Sequence, residues 1–344
     1  MLEPIIQQLA AAQPLDDGQV RAAVERLADA NVAATFKAGF LAALAKKGET
    51  PGEIAAFARA LRDKSIVPPL DAETRAREIL DVVGTGGDHL STFNISTTVA
   101  ILCAAAGVTV AKHGNRAVTS SVGSADVIEA LGIKVDLTPA DAARELKEKN
   151  FAFFFAPNFH PAFKNIAPAR KLCAADGQRT VFNFLGPLLN PARPSAMLIG
   201  VPQPELCEPM ARALQSLGVR RGMVVCGRAE GKHLDELSTL GENTIAEFYQ
   251  ERGLAVSTTS PEHFPLQPAA LADLHGGDKL VNAEIVRRVL RGDERGPKRD
   301  AVLLNAAAAL FVAGKVKSLA EGWDLAGETI DRRRAASKLA ELAR

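Results

Sequence analysis

From residue 79 onward, short apolar segments alternate with helix-like stretches, and this alternation limits the possible folds more than any other feature of the sequence. The strand-like segments are ILDVVG, VTVAKHG, FAFFFAP, AMLIGV and RGMVVCG. Between them lie helix-like stretches such as TTVAILCAAAG and ADVIEALG, which end at glycine. Alternation of this kind favours parallel strands joined by crossover helices that cover the sheet. The sequence therefore predicts an α/β fold with a mainly parallel central sheet flanked by helices.

The first 76 residues carry helical periodicity and no strand signal. The run VRAAVERLADANVAATFKAGFLAALAKKG repeats apolar residues at spacings of three and four and stops at Gly48. Thr50, Pro51 and Glu53 then have the pattern of a capped helix start. We therefore expect a small all-helical domain over residues 1–76 and a large α/β domain over 77–344.

The composition is that of a globular enzyme without a global charge. Lysine and arginine number 41 against 40 aspartates and glutamates, so no overall field favours nucleic acid or an anionic membrane. No uncharged apolar run approaches the roughly 20 residues that cross a bilayer. The start MLEPIIQQLAAAQPLDD does not resemble a signal peptide, so we expect a cytoplasmic location.

The four cysteines are scattered and form no CxxC pair. They are Cys103, Cys173, Cys207 and Cys226, and each has apolar or small neighbours in the sequence. This pattern indicates reduced thiols rather than a disulfide framework or a zinc site.

A glycine-rich turn follows the first predicted strand, in DVVGTGGDHLSTFNIST. A dinucleotide-binding turn would need a third glycine where His89 stands, and an acid about 20 residues further on, where the chain reads AAAGVTVAKH. No GxxxxGK[ST] loop is present either. What remains is a strand, a glycine turn and a helix that begins near Ser96 and Thr97, which together suit a phosphate. The alternative is a tight turn with no ligand.

The second predicted strand ends in a polar cluster. Lys112, His113, Asn115 and Arg116 come at its carboxyl end, and parallel strands would bring them to the edge that carries the glycine turn. The serines that follow could bind phosphate or ribose, or could merely cap the next helix: Ser120, Ser121 and Ser124. This cluster predicts an anion site at the same sheet edge.

Two further polar clusters occur later in the chain. APNFHPAFKNIAPARK follows the aromatic strand and contributes His160, Lys164, Asn165 and Arg170. HLDELST follows the strand MVVCG, and its adjacent acids Asp235 and Glu236 could bridge magnesium, which prefers one or two carboxylates together with phosphate oxygens and water. The alternative for the acids is ordinary surface charge.

Seven motifs in order resemble the anthranilate phosphoribosyltransferase family. They are GTGGD, TFNIST, KHGNR, GSAD with EALG, HPAFKNIAPAR, RTVFNFLGPLLNPA and LDELS, between residues 81 and 241. The resemblance implies transfer of phosphoribose to anthranilate in tryptophan biosynthesis, a homodimer formed through the helical domain, and catalysis in the cleft between the domains. It also implies that helices from about 166–192 join the small domain.

The resemblance assigns roles to individual residues. Those implied to bind phosphoribosyl pyrophosphate are Gly84, Thr85, Gly86, Gly87, Asp88, Thr92, Asn94, Ser96, Thr97, Lys112, Asn115 and Ser124. Those implied to bind anthranilate are Gly84, His113, Asn115, His160 and Arg170. Magnesium, with two ions in each subunit, is implied at Ser96, Asp235 and Glu236, and catalysis at Lys112, Asn115 and Arg170.

The sequence departs from the family pattern at several positions near the implied anthranilate channel. They are His89, Thr119, Val122, Phe159, Phe163 and the longer segment 171–176. Every implied charged residue is nevertheless present.

Two rival functions stay open at this point. A pyrimidine nucleoside phosphorylase of the same superfamily would bind inorganic phosphate, but it would have no use for HPAFKNIAPAR. A non-catalytic relative that binds nucleic acid would lack the magnesium acids and would carry a basic groove. Phosphorolysis of uridine and salt-sensitive binding to single-stranded DNA distinguish these alternatives.

Overall fold

The structure, a computed structural model, describes residues 3–117, 122–250 and 253–344. Its helices in these ranges are α1 (Glu3–Ala10), α2 (Asp17–Ala28), α3 (Ala34–Lys47), α4 (Pro51–Arg62), α5 (Ala72–Ala76), α6 (Ile95–Ala105), α7 (Ser124–Ala130), α8 (Pro139–Lys149), α9 (Ala156–Phe159), α10 (Phe163–Ala175), α11 (Phe182–Leu188), α12 (Cys207–Ser216), α13 (Lys279–Arg291), α14 (Pro297–Val312), α15 (Leu319–Asp331) and α16 (Arg334–Leu342).

The strands form one sheet in the order β3-β2-β1-β4-β5-β7-β8, and β6 pairs with β5. They are β1 (Ile79–Gly84), β2 (Thr109–Gly114), β3 (Phe151–Phe155), β4 (Ala196–Gly200), β5 (Arg221–Ala229), β6 (Lys232–Leu234), β7 (Asn243–Tyr249) and β8 (Gly253–Thr259). The first five strands pair in parallel, which confirms the predicted α/β fold. The antiparallel edge of β6, β7 and β8 was not predicted.

Local sequence signals place several helix ends correctly. Thr50 caps α4 and accepts a hydrogen bond from the backbone N–H of Glu53, whose side chain in turn accepts one from the backbone N–H of Thr50, as predicted. Thr138 likewise caps α8. The long apolar run before Gly48 is interrupted at residues 29–33, so it forms two helices, α2 and α3, rather than one.

Each face of the sheet is covered by its own set of helices. Leu80 and Val82 of β1 point into a core made with α6, α13, α14, α15 and α16. Met197 and Ile199 of β4 point the other way, into a core shared with α1–α4 and α10–α12. Alternate side chains of a strand point to opposite faces, so both faces of this sheet are apolar and buried.

The N-terminal helices pack directly against helices from the middle of the chain. Helix α10 contacts α2 and α3, and α11 contacts α4. The buried Lys37 side chain of α3 donates hydrogen bonds from Nζ to the backbone carbonyls of Asp29 and Asn165, at 2.7 and 2.9 Å. Asn165 in turn donates from Nδ2 to the carbonyl of Ala28 at 2.8 Å. The start of α10 is thereby attached to the ends of the N-terminal helices.

The cysteines and the helix lengths agree with the sequence analysis. All four thiols are buried and unpaired, and burial raises the pKa of Cys207 and of Cys226 to about 12. Within the described residues, the structure contains no helix with the length and apolar character of a transmembrane span.

Candidate active site

A cavity of about 1050 Å³ opens where β1 and β2 end. Its wall contains the predicted residues Gly84, Thr85, Gly86, Gly87, Asp88, Thr92, Asn94, Ser96, Lys112, His113, Asn115, Ser124, His160, Arg170, Asp235 and Glu236. Thr97 does not line the cavity. It is fully buried in α6, and its hydroxyl has no hydrogen-bond partner among the described residues.

The acidic pair reaches the cavity because the chain after β6 crosses directly over the ends of β1 and β4. A Cβ atom on Gly84 would overlap the Asp235 carboxylate, and one on Gly200 would overlap the backbone carbonyl oxygen of Asp235. Neither glycine has a positive φ, so the absence of a side chain is needed for space rather than for backbone conformation. The two glycines thus fix how closely the acids approach the sheet.

Both acids are hydrogen-bonded to turns that carry predicted phosphate ligands. Oδ2 of Asp235 accepts a hydrogen bond from the backbone N–H of Gly86 at 2.7 Å. Oε1 of Glu236 accepts one from the backbone N–H of Ser96, at the start of α6, over 3.1 Å. The glycine turn, the first turn of α6 and the acidic pair therefore meet at one place, although they are far apart in the sequence.

The positive charge near Asp235 and Glu236 is too small to offset the burial of the two carboxyl groups. Burial, together with the charges of Asp88 and Glu236, raises the pKa of Asp235 well above its ordinary value. Burial raises the pKa of Glu236 to about 8, although the charge of Lys112 opposes that shift. Buried like charges of this kind need a cation to stay ionised.

The donor set suits magnesium. Oδ2 of Asp88 is buried and accepts no hydrogen bond from the described part of the chain. No cluster of three or more histidine, cysteine or acidic side chains is arranged as a metal cage within the described ranges. Magnesium needs no such cage, because it binds one or two carboxylates and completes its shell with phosphate oxygens and water. The residues present therefore fit the ion when a diphosphate supplies the rest of the shell.

Lys112 of β2 also lines the cavity, close enough to Glu236 for the two charges to interact. Its side chain is 1% exposed, and Nζ donates a hydrogen bond to the backbone carbonyl of Val82 at 2.8 Å. Burial lowers the pKa of this ammonium, while the charges of Asp81 and Glu236 raise it. Asp81 is itself buried and accepts hydrogen bonds from Nδ2 of Asn190 and the backbone N–H of His113. The cation thus lies in an ordered, water-poor network.

The loop after β1 adopts backbone conformations that explain its glycines. Gly86 and Gly87 have φ of 73° and 87°, in the region that L side chains avoid. His89 also has a positive φ, of 56°. The loop is held at its far end by Asn94, whose Oδ1 accepts a hydrogen bond from Nδ2 of Asn282 at 3.0 Å.

A row of rings forms the other side of the cavity. The His113 and His160 rings lie 5.3 Å apart at 72°, and His160 contacts Phe163 at 5.7 Å. Phe163 contacts Phe182 at 5.5 Å. Burial lowers the pKa of His160 to about 4, and burial followed by the charge of His160 lowers the pKa of His113 well below its ordinary value. Both imidazoles are therefore neutral at pH 7.

Arg170 lies at the end of this row. Its guanidinium is 5.3 Å from the centre of the Phe182 ring, and burial lowers its pKa. Among the described residues, no carboxylate is within ion-pair distance of it, as no salt bridge involves this residue. Neutral rings leading to a half-buried guanidinium suit a flat aromatic ligand with a carboxylate.

Arg116 differs from the other cavity cations. Its guanidinium is bound by Asp126 at 3.0 Å and by Glu129 at 3.1 Å, so its charge is already compensated.

Asn115 is held by two backbone N–H groups. Its backbone carbonyl accepts a hydrogen bond from the N–H of Ala125, and its side-chain Oδ1 accepts one from the N–H of Arg116. Thr119, Ser120 and Ser121 lie outside the described residues.

Comparison with known proteins places this geometry in a family. Two family models match, the Glycosyl transferase family helical bundle domain over residues 3–65 and its a/b domain over residues 76–336. The anthranilate phosphoribosyltransferase of Petrotoga mobilis is 44% identical over 342 residues, which cover 99% of this chain and 96% of that protein. This chain belongs to the anthranilate phosphoribosyltransferase family. The Lacticaseibacillus casei enzyme of that name has the same identity and the same coverage.

Solved anthranilate phosphoribosyltransferases have the same fold. The enzyme from Thermus thermophilus superposes with a TM-score of 0.88 at 42% identity, covering 98% of both chains. The enzyme from Saccharomyces cerevisiae in complex with PRPP and Mg superposes with a TM-score of 0.83 at 28% identity, covering 95% of this chain and 91% of that one. The same yeast enzyme in complex with 4-fluoroanthranilate gives 0.85 at 26% identity, covering 98% and 95%.

Three of the departures from the family pattern have a structural account. Phe159 is fully buried against Phe154, with ring centres 5.3 Å apart, so it contributes to the core. Phe163 joins His160 to Phe182 in the row of rings. Residues 171–176, where the sequence analysis expects added length, form the end of α10, which stops at Ala175. None of these changes removes a charged group from the cavity.

Two residues that shape the cavity were missed in the sequence. Asn282 lines the wall and holds Asn94, but it lies in DKLVNAEI, which is an ordinary helix start. Gly200 fixes the path of Asp235, but it ends an ordinary apolar strand. No spacing rule marks either residue, because each acts on a segment distant in the sequence.

Proposed function

We propose that this chain transfers the 5-phosphoribosyl group from phosphoribosyl pyrophosphate to the amine of anthranilate, giving N-(5-phosphoribosyl)anthranilate and pyrophosphate in tryptophan biosynthesis. The observation that carries the proposal is the meeting of Asp235 and Glu236 with two anion-binding turns at one side of the cavity. The half-buried guanidinium of Arg170 at the other side supplies a site for a carboxylate. The two substrates would thereby face one another across one cavity.

The reaction breaks the bond between ribose carbon 1 and the pyrophosphate oxygen, whose electron pair leaves with pyrophosphate. The lone pair of the anthranilate nitrogen forms the new bond to carbon 1, and the nitrogen then loses a proton to water. A neutral arylamine needs no strong base, so the chain chiefly stabilises the departing negative charge. Lys112 is placed to do this, and the N–H groups of Gly86 and Ser96 would do so where they exchange their hydrogen bonds to Asp235 and Glu236 for bonds to pyrophosphate oxygens.

Asp235, Glu236 and the hydroxyl of Ser96 would hold magnesium, and we propose two ions per subunit. Bound magnesium would neutralise charge on the pyrophosphate and act as a Lewis acid toward it. The chain's own contribution is to keep both carboxylates buried beside the glycine turn, where a diphosphate would complete the shell. Thr92, Asn94 and Ser124 would bind the remaining phosphate oxygens.

Anthranilate would lie along the row of rings. Arg170 would bind its carboxylate, and the neutral edges of His113 and His160 would contact its ring. Asn115, between the two sides of the cavity, would contact both substrates. Holding the amine in line with carbon 1 is worth up to roughly 7 to 11 kcal/mol in favourable intramolecular models.

Loss of anthranilate fluorescence on mixing the protein with phosphoribosyl pyrophosphate, magnesium and anthranilate tests the proposal. We expect turnover that requires all three components. Release of uracil from uridine in phosphate buffer, without anthranilate turnover, would instead support a pyrimidine nucleoside phosphorylase. Absence of both reactions in folded protein would contradict a catalytic function for the cavity.

The domain division and the assembly are further proposals. We propose that residues 1–76 and the helices from about 166–192 form one domain and that the rest of residues 77–344 forms the other, because α10 and α11 pack on the N-terminal helices. From the family resemblance we also propose a cytoplasmic homodimer formed through the helical domain. Light scattering of the purified chain tests the dimer, since a monomer at all concentrations would contradict it.

A further inference from the structure

A fully buried asparagine, Asn305, lies beneath the acidic pair. It belongs to α14, in the otherwise apolar run LLNAAAAL, and it is 0% exposed. Its Oδ1 accepts a hydrogen bond from the backbone N–H of Leu237 at 2.9 Å, and its Nδ2 donates to the backbone carbonyl of Leu237 at 2.8 Å. Nδ2 also donates to the carbonyl of Ala301 in its own helix at 2.9 Å. The amide therefore binds both backbone groups of the residue that directly follows Glu236.

A second asparagine does the same to the next residue. Oδ1 of Asn243 accepts a hydrogen bond from the backbone N–H of Ser238 at 2.6 Å, and Nδ2 donates to the carbonyl of Ser238 at 3.0 Å. Two consecutive residues that belong to no strand thus have their backbone groups paired by side-chain amides from two different elements. Buried backbone groups outside regular structure need such partners. These amides act in place of a neighbouring strand.

The position of this contact matters because it directly follows two acids that line the cavity. Asp235 and Glu236 lie beside Asp88 in the cavity wall, in a segment that belongs to no strand. On the upstream side, the carbonyl of Asp235 lies against Gly200, which prevents movement toward the sheet. On the downstream side, Asn305 holds Leu237 and prevents movement away from it.

We infer that Asn305 is a positioning residue that fixes the Asp235 and Glu236 carboxylates where a metal-bound diphosphate needs them. Asn305 does not line the cavity, so it acts only through Leu237. The inference rests on the proposed magnesium role of the acidic pair. It predicts that loss of the amide weakens the magnesium-dependent part of phosphoribosyl pyrophosphate binding and leaves the magnesium-independent part unchanged.

Isothermal titration calorimetry of phosphoribosyl pyrophosphate, in excess magnesium and in excess chelator, measures these two parts without catalysis. In magnesium we expect Asn305→Leu to bind phosphoribosyl pyrophosphate at least about 10-fold more weakly than wild type, because loss of a buried hydrogen bond costs roughly 1.5 kcal/mol. In chelator we expect the variant and wild type to bind it equally. Leu310→Ala is the matched control, since it removes a fully buried side chain from the same helix but neither of the hydrogen bonds between Asn305 and Leu237. This variant should lose stability, but the ratio of its phosphoribosyl pyrophosphate affinities in magnesium and in chelator should equal that of wild type.

Asn305→Ser carries the test if Asn305→Leu does not fold, because a serine hydroxyl is too short to bind both groups of Leu237 and leaves room for water. The magnesium enhancement is the ratio of the phosphoribosyl pyrophosphate affinity in magnesium to that in chelator. A folded variant at residue 305 whose enhancement equals that of wild type would overturn the inference. If the Asp235→Asn/Glu236→Gln double variant loses that enhancement in the same experiment, the proposed metal site survives and only the role of Asn305 falls. If wild type shows no enhancement, the metal assignment and the inference fall together.

Discussion

The backbone N–H of Gly86 donates a hydrogen bond to Oδ2 of Asp235 over 2.7 Å, across 149 positions of sequence. An N–H group in a glycine turn is a typical phosphate ligand, yet here a carboxylate occupies it. The N–H of Ser96, at the start of α6, is occupied by Glu236 in the same way. A diphosphate without a cation would have to compete with both carboxylates, so we expect substrate binding and magnesium binding to be strongly coupled.

The acidic pair should therefore control magnesium-dependent turnover. Replacing both acids by their amides, Asp235→Asn with Glu236→Gln, keeps their size and removes their charge. We expect turnover to fall by about 100-fold or more, the range seen when charge-stabilising groups are removed from active sites. The metal-free variant should melt no lower than wild type, because neutral amides avoid the free-energy cost of burying two ionisable carboxyl groups side by side. Undiminished turnover would remove these residues from the metal site.

Gly200 should affect the acidic pair only because a side chain at this position would overlap the backbone of Asp235. In Gly200→Ala the new methyl group overlaps the carbonyl of Asp235, so we expect a loss of about 1–3 kcal/mol in stability and a higher magnesium requirement. Gly39→Ala is the matched control. That glycine lies in α3 with no atom within 4 Å of a new Cβ, so alanine should stabilise the protein by up to about 1 kcal/mol. Urea unfolding and magnesium titration of activity measure both effects.

Arg170 should affect anthranilate more than phosphoribosyl pyrophosphate. We expect Arg170→Ala to raise the KM for anthranilate by about 10- to 100-fold, because a charge-assisted hydrogen bond to a carboxylate is worth roughly 1.5–3 kcal/mol. Arg116→Ala removes a cavity cation that Asp126 and Glu129 already bind, so its KM for anthranilate should change far less. Equal effects in the two variants would contradict the assignment of the carboxylate site to Arg170.

Acid should destabilise the protein through its buried histidines. The pKa of His160 is lowered to about 4 in the folded chain, below the value of about 6.5 expected after unfolding. Its neutral form thus contributes stability above pH 6.5, and that contribution is lost as the pH falls toward 4. Between pH 7.5 and pH 4.5 the contribution is roughly 2 to 3 kcal/mol.

Replacing His160 by glutamine should remove that part of the acid sensitivity. Urea unfolding of wild type and His160→Gln at the two pH values measures it. His113, whose pKa is also lowered by burial, should leave part of the acid sensitivity in the variant. An identical pH dependence in both proteins would show that His160 titrates near its ordinary pKa.

Local signals predicted much of the fold and most of the cavity. Thr50 and Thr138 mark helix starts through contacts within three residues, and the alternation of strands and helices gives the parallel sheet. The clusters after β1 and β2 meet because parallel strands end at one edge. The roles of Gly200, Asn282 and Asn305 were not predicted, because each depends on a partner more than 30 positions away. The antiparallel strands after β5 were missed although a two-residue turn, Glu230 and Gly231, joins β5 to β6 with positive φ at both positions.

The most direct test of the account is a crystal structure of the protein with phosphoribosyl pyrophosphate and magnesium. We predict a diphosphate that contacts residues 84–97 and 112–116, with magnesium between it and the carboxylates of Asp235 and Glu236. A sugar diphosphate bound away from these residues, or a metal ion that neither acid contacts, would contradict it.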